Sequence, residues 1–198
     1  RHTRYWRDWS SDVCSSDLWL LMQPDWGLVA ACGVHCAVLL TLLAWALIDH
    51  DGQTVPWRWA AVMTGLAVAA AAWLPGVQPV GAGFGASFGA GAGWPAALVT
   101  SAAGMLAGWL VGCLAGTIHR SQAAAPMLIL LGAALGWQAV VAIGGLALGI
   151  VGLRRLFGAI CPAAGDFRVA AFDIVIASVA HQLAWRIIHQ MGGWWHAL

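Results

Sequence analysis

The sequence contains no lysine and no glutamate, and a single tyrosine among its 198 residues. Charged side chains make up 9% of it, against about 25% in an ordinary soluble domain. Hydrophobic residues make up 61% and the mean hydropathy is +0.79, which excludes a water-soluble globular domain. The formal net charge is only +1, so there is no basic footprint of the kind nucleic-acid binding requires. Cysteine is scarce too. None of the five forms a CxxC pair, which leaves neither a disulfide framework nor a zinc site. Cys32, Cys36 and Cys113 sit in apolar runs, where cysteine serves as a small packing residue.

What the chain does have is apolar runs near the ~20 residues needed to cross a bilayer. They cover Leu28 to Ile48, Trp57 to Leu74, Ala96 to Gly116, Trp137 to Leu153 and Val169 to Ile188. A shorter one, Ala124 to Leu135, is cut off by Gly136. The pattern predicts an all-α fold: a polytopic membrane helix bundle of about six helices, one of them short. The run VGAGFGASFGAGAG, Val80 to Gly93, reads as a loop. No strand precedes it and no lysine follows, so it is not a phosphate-binding loop. Gly104, Gly108, Gly112 and Gly116 recur every fourth residue, a flat stripe on which another helix backbone can lie.

Arg58, Arg120, Arg154, Arg155 and Arg168 fall in alternate connections. The positive-inside rule then places Asp49, Asp51 and Asp166 on the cytoplasmic side of a multi-pass membrane protein. Trp57, Trp59, Trp73, Trp94 and Trp137 lie at span ends, as interfacial anchors do.

Residues 1–18, RHTRYWRDWSSDVCSSDL, do not fit this composition. They form neither a signal peptide nor an amphipathic anchor. The string resembles an indexed sequencing adapter translated in frame. It is expected to pack against nothing, with the membrane domain occupying residues 19–198.

Two acids end the first span, in Ile48-Asp49-His50-Asp51 followed by Gln53, Val55 and Pro56. The plain reading is a helix terminus with solvated carboxylates and a turn. The order of residues, however, resembles the first catalytic motif of the type IV prepilin (leader) peptidases, ALIDxDxxxLPD. Downstream, Leu131-Gly132 and Leu135-Gly136-Trp137-Gln138 resemble that family's LGxxLGWQ segment. The resemblance runs from about Trp19 to Trp185. It implies a membrane aspartic endopeptidase that removes leader peptides from pilin-like precursors of type IV pili and type II secretion. Asp49 then matches the first catalytic aspartate and Asp51 an accessory acid.

The second motif, GxGDxK, departs from the family. Its place is taken by Ser121-Gln122-Ala123-Ala124-Ala125-Pro126, with Ala124 where the second catalytic aspartate belongs. Aspartic proteolysis needs one carboxylate as base and one carboxylic acid as donor, so the standard pair cannot form. Ala163-Ala164-Gly165-Asp166-Phe167-Arg168 is a weakened copy of the motif, and Asp166 is the alternative second acid. Asp173 lies deeper in the last span and reads as a helix-start acid. His35 reads as a packed or hydrogen-bonded helix residue, and no metal or cofactor site is recognisable. The resemblance therefore implies an inactive family member that meets pilin-like precursors or their leaders in the lipid bilayer. The alternatives are an active peptidase using Asp49 with Asp166, and a small transporter or channel.

Overall fold

The computed structural model of the chain describes residues 26–74, 78, 94–119, 121–160 and 170–195. The adapter-like residues 1–18, the Gly-rich run, Arg120, Asp166 and Arg168 lie outside the described residues.

Six helices and no strand occur among the described residues: α1 (Trp26–His50), α2 (Trp57–Trp73), α3 (Trp94–His119), α4 (Ala124–Leu135), α5 (Trp137–Ile160) and α6 (Ala170–Trp195). The fold is thus an all-α bundle. Stretches within α1, α3 and α5 are long and apolar enough to cross a membrane: Val29–His50, Trp94–Gly116 and Trp137–Arg154. Leu40, Leu66, Leu106, Leu110 and Leu153 stand exposed on the outside. Water tolerates such a surface poorly, whereas lipid does not penalise it. Trp57, Trp59, Trp73 and Trp94 are exposed at helix ends, where amphipathic rings anchor a bundle at the interface.

The short helix is the hub. α4 touches all five other helices, and nine of its twelve residues are buried. It can be central because α3 offers it a surface without side chains. A Cβ on Gly104 would overlap the Gly132 carbonyl, one on Gly132 the Gly104 carbonyl, and one on Gly108 the carbonyl of Leu128. The stripe expected from the four-residue glycine spacing is therefore the α3–α4 contact. Gly136 ends α4 in the left-handed region, at φ 83°, which a residue with a Cβ adopts at a cost. The chain breaks there and α5 begins at once.

Two expectations need correction. α5 and α6 extend past Leu153 and Ile188, to Ile160 and Trp195. Falling hydropathy marks where a membrane span ends, not where backbone hydrogen bonding stops, and Arg154 is a good helix former. Cys32, Cys36 and Cys113 are also not packed inside; all three are free and exposed on the outer face.

Candidate functional site around Asp49

α1 closes in a turn of its own. Asp51 N–H donates to Leu47 O, Gly52 N–H to Asp49 O and Gln53 N–H to Ile48 O, each at 3.0 Å. Gly52 supplies the positive φ of 73° that the turn requires. The chain then reaches Pro56, which precedes α2. His50 and Asp51 are exposed in this turn, so the solvated-terminus reading holds for them.

It does not hold for Asp49, which is half-buried. Its carboxylate faces the segment between α3 and α4. Ser121 Oγ donates to Asp49 Oδ2 at 3.0 Å, and the Ala123 N–H donates to Asp49 Oδ1 at 3.3 Å. Ala123 is the N-cap of α4 but has no side-chain oxygen to cap with; Asp49 supplies a capping acceptor from another helix. A carboxylate there also faces the positive end of the α4 dipole. Pro126, in the first turn of α4, has no N–H left to satisfy.

The site therefore joins two segments singled out in the sequence, Asp49 and the Ser121 to Pro126 stretch. Ala124 itself is buried, with no exposed surface, directly after the amide that touches Asp49. The two Asp49 oxygens meet a hydroxyl and an amide, and no second carboxyl among the described residues. Such an arrangement can bind and orient a donor group. Of the base and acid that a proteolytic dyad needs, the described residues place one carboxyl here.

The start of α6 adjoins this end of the bundle, since the His50 and Phe172 rings meet edge to face at 6.0 Å. Next to Phe172 lies the acid that sequence reasoning left as a bare helix-start residue. Asp173 pairs with Arg154 of α5 at 2.8 Å, with side chains 4% and 42% exposed. An i, i+3 or i, i+4 search could not find this partner, because it sits on the preceding helix. Beside the pair lies a cavity of about 30 Å³ lined by Val111, Leu128, Leu148 and Ile174 among others, room for water-sized groups only. His35 Nδ1 lies 2.8 Å from Ala31 O within its own helix, as expected. No cluster of three or more metal-ligating side chains occurs among the described residues.

A second polar group missed in the sequence sits at the opposite end of α4. Gln78, Ser101 and the Ala133 carbonyl are joined by three hydrogen bonds. Gln78 stands in a proline- and glycine-rich stretch whose composition reads as loop, and nothing there announces a buried amide.

No family model, curated protein or solved structure matches the chain.

Proposed function

We propose that the chain is a prepilin peptidase-like integral membrane protein that has lost the second acid of its catalytic pair and does not cleave leader peptides. The observation that carries this reading is the contact of Asp49 with Ser121 and Ala123. Those residues are 72 and 74 positions away in sequence, and they occupy the slot where the resemblance expects the second catalytic motif. In an aspartic peptidase two distant segments must meet so that two carboxyls can act on one peptide bond. Here the segments meet and one carboxyl is an alanine methyl. What remains is a half-buried acceptor at the membrane boundary, suited to holding a pilin-like precursor or its leader without cutting it. Arg58 and Arg154 lie toward the Asp49 end, which makes that end the cytoplasmic one under the positive-inside rule.

The test is cleavage of a pilin-like precursor by the full-length protein in inner-membrane vesicles. The expected result is no cleavage by the parent chain, and weak cleavage after Ala124→Asp, limited by Pro126 and the missing motif glycines. Cleavage by the parent chain that is lost in both Asp49→Ala and Asp166→Ala would overturn the reading, and Asp166 would be the second acid.

A further inference from the structure

α4 is held at both ends by side chains from other elements. At its start the Asp49 carboxylate takes the Ala123 N–H. At its far end Ser101 Oγ donates to the Ala133 carbonyl at 2.9 Å. Gln78 Nε2 donates to the same oxygen at 3.1 Å and to Ser101 Oγ at 2.7 Å. Gln78 and Ser101 are both buried.

The length of α4 explains why the far end needs them. Twelve residues extend about 18 Å at 1.5 Å per residue, well short of a hydrocarbon core of about 30 Å. If the Asp49 end lies at the membrane boundary, the other end stops inside the bilayer. The last carbonyls of a helix have no partner within it, and lipid offers none. Protein donors must therefore come to that end, and Ser101 and Gln78 do.

We propose that Gln78 and Ser101 are positioning residues for the Asp49 site: they fix the inner end of α4 and so hold the Ser121–Ala123 turn against the Asp49 carboxylate. The glycine contacts press α3 and α4 together backbone against backbone, with no glycine side chain to interlock. Such flat surfaces resist separation more than sliding along the helix axis. Hydrogen bonds at both ends stop the sliding. Gln78 is a strange choice for packing alone, because its Oε1 is buried with no hydrogen-bond partner. A leucine would bury no such oxygen. What the amide adds is its two N–H bonds, and both are spent on the clamp. None of this depends on whether the chain cleaves or binds leaders.

The test uses the full chain in lipid nanodiscs, with native cysteines replaced and a nitroxide label on Gln122→Cys, an exposed position in the turn. Gln78→Leu and Ser101→Ala are compared with Val38→Ala, a core truncation in α1 that removes no clamp bond. The expected result is at least a twofold larger mobile fraction of the label in Gln78→Leu and Ser101→Ala, and an unchanged spectrum in Val38→Ala. Parent-like spectra in both clamp variants would overturn the proposal. So would an equal rise in Val38→Ala, since loosening would then follow from any loss of stability. If Gln78→Leu does not fold, Ser101→Ala and Val38→Ala decide the matter.

Discussion

Asp49 has a structural task that is separable from any chemistry. It accepts a hydroxyl and the N-cap amide of a helix that has no side-chain cap of its own. Removing Ser121 Oγ takes away one hydrogen bond, worth about 1 kcal/mol. Removing the Asp49 carboxylate takes away both and leaves a helix-end amide without its acceptor, a loss of roughly 2 kcal/mol by the same scale and that of N-caps. We therefore expect thermal unfolding in detergent, followed by circular dichroism, to rank the parent above Ser121→Ala and Ser121→Ala above Asp49→Ala. Asp49→Asn should fall between them, since it keeps one carbonyl oxygen. Parent-like stability of Asp49→Ala would show that the cap carries no weight. Arg154 and Asp173 call for a different comparison. Arg154→Leu takes the ion-pair partner from a buried carboxylate, which costs up to about 3 kcal/mol, reduced because Arg154 is itself half-exposed. The double change Arg154→Leu with Asp173→Leu removes the buried carboxylate together with its ion-pair partner and should be the more stable of the two. The reverse order, measured in the same unfolding experiment, would mean that contacts other than Arg154 stabilise the Asp173 carboxylate. Asp49 and the Ser121 to Pro126 stretch could both be singled out from the order of residues along the chain, and the fold brings them into contact. The sequence hid the Arg154–Asp173 pair and the Gln78 clamp, since each joins residues that only folding brings together.

At the scale of elements, hydropathy located the helices well, because lipid-facing residues are apolar whatever the tertiary contacts. The short run from Ala124 to Leu135 matches α4 residue for residue, bounded by Gly136 at one end and the polar Ser121-Gln122 at the other. Its central position was not legible: composition shows that a helix is short, not that five others surround it. The glycine stripe gives a direct check of that packing. Gly108→Ala puts a methyl into the Leu128 carbonyl, and overpacking of this kind costs about 1–3 kcal/mol. Gly145→Ala, on the outer face of α5 with nothing within 4 Å, should instead be neutral or slightly stabilising, as alanine is the better helix former. Each alanine variant adds one methyl to the same kind of helix, so the difference between their unfolding temperatures isolates the contact. Equal temperatures would mean that α3 and α4 are not in close backbone contact.

For the molecule as a whole, the decisive quantity is which ends of the helices share a face of the membrane. Asp49 touches Ser121, His50 touches Phe172 and Arg154 touches Asp173, so the end of α1, the start of α4, the end of α5 and the start of α6 lie together. Gln78, Ser101 and Ala133 gather toward the other end. α2 connects the two groups. Its 17 residues rise about 25 Å, nearly a full hydrocarbon thickness, and exposed tryptophans stand at both its ends. We therefore expect single cysteines at Asp51 and Leu74, which flank α2, to react with a membrane-impermeant thiol reagent from opposite sides. In intact cells Leu74→Cys should label from outside, while Asp51→Cys should label only after the membrane is opened, if the positive-inside rule acts through Arg58 beside it. Labelling of both positions from the same side would mean that α2 does not cross. The polar turn with Asp49 and the clamp at Gln78 would then lie on one face, and α4 would have no membrane depth to bridge.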